Sequence, residues 1–231
     1  MELKGKAAIV TGASKGIGKA IVLALLGKGV KVAGWCRSKP DIRHPSFSFI
    51  STDIRKAEQV DLAFEKTIQL FEGKAHVLIN NAGLGYFGKV EETSPEKWHE
   101  MFDTNVHGMF YCIRKVMPVM KHQQLGHIIN IASIAGMTGI EEATAYCATK
   151  FAVRGFSQSL FKEVRKSNIK VTCICPGSVN TPFFDRVEGI TANDTMLHPK
   201  DIADSIIHIL ETPDNFLTVE VELRPLNVRY N

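Results

Sequence analysis

The chain has 231 residues, 45% of them apolar and 23% charged, enough for one large core with the make-up of a globular domain. A net charge of +4 without any run of five basic residues gives no reason to expect a nucleic-acid or anionic-membrane partner. The longest apolar stretch, Ala20 to Leu26, falls far short of the roughly 20 residues of a membrane span, and the N-terminal apolar run is too short for a secretory h-region.

The elements alternate along the chain. Ala7–Thr11 is a short apolar run of strand length, and a glycine-rich turn leads from it into a helix over Gly16–Gly27 with apolar residues at helical spacing. Strands are predicted at Lys31–Trp35 and Phe47–Ile50. Val60, Phe64, Ile68 and Phe71 mark a helix over 57–71, followed by a strand at His76–Ile79 ending in Asn80-Asn81-Ala82-Gly83. Pro95 opens a helical region, since its missing N–H costs nothing in a first turn, and a long helix follows over 101–122 with Pro118 at a bend or late turn. Further strands at 127–131, 170–175 and 217–223 alternate with helices at 144–166 and 199–210. In the last strand Glu220 and Glu222 face the wetter side of an edge. Strands and helices in this order define a single doubly wound α/β domain, its mainly parallel sheet covered on both faces.

The five cysteines (36, 112, 147, 173 and 175) are odd in number and lack paired metal-ligand spacing, so no metal is expected. Cys173 and Cys175 point to one face of a strand, as packed core residues do. The Asn193-Asp194-Thr195 sequon reads as chance without a secretion signal. A reduced, cytoplasmic setting follows.

Two segments carry chemistry. In Thr11-Gly12-Ala13-Ser14-Lys15-Gly16-Ile17-Gly18, Gly12 permits an unusual backbone angle, Gly16 lets a pyrophosphate approach and Gly18 allows close helix–sheet packing. The helix N-terminus behind this turn offers free N–H groups and a positive dipole end. The second segment places Tyr146 and Lys150 four positions apart, on one face of a helix, with Ser133 upstream. An ammonium beside a phenol favours the phenolate, so a lowered Tyr146 pKa is expected.

Thr11-Gly12-x-x-x-Gly16-x-Gly18, Asn80-Asn81-Ala82-Gly83, Asn105, Ser133, Tyr146-x-x-x-Lys150 and Pro176-Gly177 stand together in order, and with them the chain strongly resembles the short-chain dehydrogenase/reductases. The resemblance implies Tyr146 as acid/base, Lys150 as the group that tunes it and binds the nicotinamide ribose, and Ser133 as the donor orienting the substrate oxygen. Asn105 corresponds to an asparagine holding a water in a proton relay to the lysine. The resemblance also puts Gly12, Ser14, Lys15, Gly16, Ile17 and Gly18 at the pyrophosphate, Asp53 and Ile54 beside the adenine, Asn81 and Ala82 along the adenosine, and Val179 and Thr181 near the carboxamide.

Residues Gly34-Trp35-Cys36-Arg37-Ser38 at the end of the second strand hold no carboxylate for a ribose 2′-hydroxyl. Arg37 and Lys15 can pair with a 2′-phosphate instead, which favours NADP over NAD. The expected activity is NADP-dependent reduction of a ketone or aldehyde to an alcohol. Reduction of a 3-oxoacyl carrier-protein thioester is an alternative, and a catalytically silent nucleotide-binding regulator is another. Leu84, Tyr86, Ile134, Phe183 and Phe184 are candidate walls of the substrate pocket, and the short segment from Thr181 to Pro199 predicts an open site with relaxed preference. By the same resemblance the helices at 101–122 and 144–166 pair two copies into a homodimer or homotetramer.

Overall fold

The structure, a computed structural model, describes residues 1–187 and 191–229. Seven strands, β1 (Ala7–Thr11), β2 (Lys31–Cys36), β3 (Phe47–Ser51), β4 (Val77–Asn80), β5 (Gly126–Ile131), β6 (Ile169–Pro176) and β7 (Glu220–Leu223), form one sheet in the order 3-2-1-4-5-6-7. Every pairing is parallel. Parallel strands need crossovers. These are helices α1 (Gly16–Gly27), α2 (Ala57–Leu70), α3 (Pro95–Phe102), α4 (Gly108–Gln123), α5 (Thr144–Val164) and α6 (Pro199–Glu211).

Alternation along each strand feeds two cores. Ile9, Leu78, Ile128 and Cys173 point into a layer with Val60 and Ala63 of α2, Met109 and Val116 of α4, and Val153 and Leu160 of α5. Ala8, Val10, Val77, Ile79, Ile129 and Ile174 point the other way, onto Ile21 and Leu25 of α1 and Ile202 and Ile206 of α6. The strand order turns back between β1 and β4, and the loops leaving these two strands diverge to leave a crevice at their C-terminal ends.

Two elements differ from the sequence reading. The long helix is three segments, α3, a π-turn over Asp103–His107 and α4, because Asn105 is drawn inward to partners on other elements. Pro118 lies within α4. The last strand starts at Glu220, and Glu220 turns toward α5, where Arg154 binds its carboxylate at 2.6 and 2.9 Å. A long-range ion pair, invisible to period-2 patterning, places that side chain.

Two histidines are built into the sheet as neutral rings. Ala7 N donates to His76 Nδ1 at 3.1 Å, which requires a lone pair there. Thr172 Oγ1 donates to Thr218 O, so His127 Nε2, 2.8 Å from that hydroxyl, is the donor of their bond and Nδ1 keeps the lone pair. Burial, helped by nearby lysines, pushes His76 down to about 4 and His127 down to about 3. Both folded values lie below the unfolded 6.5, so as pH falls through 6.5 toward 4 the unfolded chain takes up protons that the folded chain refuses. Stability should therefore drop by about 2 kcal/mol per ring between pH 7.5 and pH 5. Urea denaturation at the two pH values, on the parent and on a His76→Asn/His127→Gln variant, checks this: the variant should lose most of the drop, and an equal drop in both contradicts the assignment.

Candidate active site

A cleft of about 750 Å³ opens at the crevice between the β1 and β4 loops. Its floor is the glycine turn. Gly12 adopts φ +66, where L side chains are strained, and a Cβ on Gly18 would lie 2.2 Å from Gly12 O and 2.5 Å from Asn81 Nδ2. Asn81 locks the turn from the end of β4, its amide donating to Thr11 O at 3.0 Å and Gly12 O at 3.2 Å. Thr11 Oγ1 returns the tie by accepting from the N–H groups of Asn81 and Ala82. α1 begins at this point with Lys15 as its N-cap, no side-chain cap and no acidic residue in its first turn, so its N–H groups point at the cleft uncompensated. A cradle closed to any Cβ beneath an uncapped helix N-terminus fits the pyrophosphate of a dinucleotide.

Gly12, Ser14, Lys15, Gly16, Ile17, Arg37, Asp53, Ile54, Asn81, Ala82 and Thr181 line the cleft together. Gly18 lies buried beneath the turn, and Val179, 5% exposed, pairs with Leu197 away from the cleft wall. Asp53 is held by Arg55, whose Nε and Nη2 donate to the carboxylate at 2.6–3.0 Å while its backbone N–H donates at 3.1 Å. These bonds push the Asp53 carboxyl below its ordinary value and occupy its lone pairs. Arg55 also reaches Glu100 Oε1 at 3.0 Å, and Glu100 Oε2 accepts from Tyr86 Oη at 2.5 Å. Arg55 lines the cleft too and went unnoticed in the sequence, where it is one basic residue among 28.

Beyond the far end of the cleft lie Ser133, Tyr146 and Lys150. α5 carries Tyr146 and Lys150 one turn apart, and Ser133 caps a short 3-10 turn after β5 by accepting from Ala135 N at 3.1 Å. Lys150 Nζ donates to Ile131 O at 3.0 Å and stands 5.7 Å from the centre of the Tyr146 ring. The phenol is not acidified: burial pushes Tyr146 up to about 12, and the Ser133 hydroxyl only partly offsets this. Lys150 is itself desolvated, its pKa pushed down to about 8, and its ammonium is bonded to a backbone carbonyl instead of the phenol. Asn105 sits in the π-turn, with Oδ1 accepting from Leu84 N at 2.9 Å and Nδ2 donating to Leu84 O at 2.8 Å and Thr149 Oγ1 at 2.9 Å. Its side chain thus fastens the loop after β4 to α5.

Nor is the site open. Tyr146 is 8% exposed beneath Phe87 and Phe183, with ring centroids at 5.5 and 5.7 Å. Phe87 went unnoticed because an aromatic residue near a strand end looks like ordinary core. Of the other suggested walls, Leu84 and Phe183 line the cleft, and Phe184 stacks edge-on against Phe183. Among the described residues, Cys173, Cys175 and Glu220 form the one group with metal-ligand spacing, and Arg154 already neutralises that carboxylate. Among the described residues no helix is long and apolar enough to cross a membrane.

The family model for short chain dehydrogenases matches residues 6–189. An oxidoreductase from Staphylococcus saprophyticus is 37% identical over 236 residues, spanning 98% of this chain and 100% of the relative. Among solved structures, an alcohol dehydrogenase from the archaeon Thermococcus sibiricus complexed with 5-hydroxy-NADP is 27% identical with a TM-score of 0.86, over 97% of this chain and 98% of that one. A 3-ketoacyl-(acyl-carrier-protein) reductase from Brucella melitensis complexed with NADH is 26% identical with a TM-score of 0.87, over the same shares. The chain belongs to the short-chain dehydrogenase family and is an oxidoreductase of that family.

The buried lysine makes its own prediction. Its folded value near 8 lies below the unfolded 10.5, so between those values the unfolded chain binds a proton that the folded chain has released, and stability rises with pH. Below pH 8 the fold carries the full cost of a buried charge, which Lys150→Met removes. The stability difference between Lys150→Met and the parent should shift in the parent's favour by about 2 kcal/mol from pH 7 to pH 10. Chemical denaturation at both pH values reads the shift, and a pH-independent difference contradicts it.

Proposed function

We propose that this protein reduces a ketone or aldehyde to an alcohol with NADPH, Tyr146 giving the proton. The observation that carries this reading is the phenol held neutral by burial beside Ser133 and Lys150, next to a cleft shaped for a dinucleotide. A reduced nicotinamide cofactor held by the glycine turn, Lys15 and Arg37 would supply the hydride for the carbonyl carbon, leaving its oxygen in need of a proton. Ser133 orients that oxygen by donating to it, and Tyr146, undissociated at neutral pH, is in the right state to protonate it. The Lys150 ammonium then stabilises the phenolate until a solvent proton restores it. Asn105 keeps Leu84 and Thr149, and with them the Tyr146 turn of α5, in register: Thr149 Oγ1 donates to Tyr146 O at 2.8 Å.

Preference for NADP is supported by Arg37 and Lys15 on the cleft wall and by the absence of a carboxylate on β2. The NADP-type ligand of the Thermococcus structure agrees with this, whereas the Brucella reductase holds NADH. Five free cysteines support a reducing, cytoplasmic setting. Phe110 on α4 and Phe151 on α5, 43% and 44% exposed, support pairing of two copies through these helices into a homodimer or homotetramer.

A panel of carbonyl compounds followed by NADPH absorbance, repeated with NADH, tests the reading. Tyr146→Phe should lose at least about 1,000-fold in kcat while binding NADPH as the parent does. Arg37→Ala should weaken NADPH binding about 10- to 100-fold and leave NADH binding nearly unchanged. A Tyr146→Phe protein that keeps its turnover would refute the proton-donor role, and NADH serving as well as NADPH would refute the cofactor preference.

A further inference from the structure

Phe183 has two sides. One lines the cofactor cleft; the other stacks on Tyr146, which does not itself reach the cleft wall. A carbonyl receiving hydride from the cleft and a proton from Tyr146 must therefore lie where the Phe183 ring now stands. That place is bounded by rings. Phe87 meets Phe183 edge-on at 6.2 Å and 90°, and Tyr146 lies 5.7 Å from it at 49°. Gly85 forms the floor, and a Cβ there would come within 2.9 Å of Phe183, 3.0 Å of Tyr146 and 3.1 Å of Phe87, so the three rings converge on one point. Around them Leu84, Met101, Ala143 and Ala145 are buried.

From this arrangement we infer that the substrate is a flat apolar carbonyl compound, an aryl ketone or aryl aldehyde, selected by Phe87 and Phe183. The inference rests on the carbonyl-reduction reading above. A flat ring entering as Phe183 swings aside replaces the ring contacts that are lost, which a small aliphatic or hydrated group cannot do. A carboxylate would be desolvated there without compensation. The cation nearest the Tyr146 ring, Lys150 Nζ at 5.7 Å from its centre, is already bonded to Ile131 O.

The test compares acetophenone, butanone and pyruvate as substrates with NADPH and measures acetophenone binding in the presence of NADP⁺, where no turnover occurs, by calorimetry. Acetophenone should exceed both other substrates at least about tenfold in kcat/KM. Phe87→Ala should weaken acetophenone binding by about tenfold, with Phe87→Leu intermediate, while NADP⁺ binding is kept. Phe87→Leu, which keeps most of the buried volume, reads the effect if an alanine variant fails to fold. Faster turnover of pyruvate or butanone, or unchanged acetophenone binding in the folded variants, overturns the inference and leaves carbonyl reduction standing. If no carbonyl oxidises NADPH although NADP⁺ binds, carbonyl reduction itself fails, and the inference with it.

Discussion

The site depends first on one close approach, that of α1 to the glycine turn. With 2.2 Å between Gly12 O and the place a Gly18 side chain would start, the helix comes down on the turn closer than any residue with a Cβ allows. This contact aims the helix N-terminus along the crevice, and the Asn81 amide keeps the turn's carbonyls from facing it. Without that approach the uncapped N–H groups would be a cost with no return. With it they make a cradle that fits an anion, at the switch in strand order between β1 and β4.

Burial governs the other end. An ammonium near a phenol suggests an acidic phenol, but that outcome depends on which effect is larger. Enclosure of Tyr146 beneath Phe87 and Phe183 raises its pKa more than Ser133 lowers it, and the same enclosure lowers that of Lys150. Both shifts favour the uncharged form of each group. The result is a phenol that stays protonated and a lysine near its own titration point, a combination suited to giving a proton to an oxygen. Asn105 serves this geometry from a distance. The π-turn that breaks the long helix brings its amide onto Leu84 and Thr149, and so ties the loop behind β4 to the helix carrying Tyr146.

Much of this was legible in the sequence because it follows local rules. Ala7–Thr11 followed by Gly12, Gly16 and Gly18 can be read as strand, turn and helix without knowing what lies nearby, and the i, i+4 placement of Tyr146 and Lys150 follows from helix geometry alone. What escaped were pairings across distance. Arg55 and Asp53 sit two residues apart, but their bond to Glu100 and through it to Tyr86 depends on α3 packing alongside. Glu220 looked solvent-facing until Arg154 of α5 claimed it. The break at Asp103–His107 has only Gly108 at its end as a local marker, and the bond from Asn105 within it runs to a different loop. Phe87 was hidden for the same reason, because stacking on Tyr146 is a property of the folded chain.

The central claim is that the dinucleotide cleft and the Tyr146 hydroxyl act on one carbonyl group. The most direct measurement runs the reaction with NADPH carrying deuterium at the transferable position and locates the label in the alcohol by mass spectrometry. The account predicts one deuterium on the carbinol carbon in the parent protein and no labelled alcohol with Tyr146→Phe. Alcohol formed without the label, or labelled alcohol formed equally well by the phenylalanine variant, would contradict it.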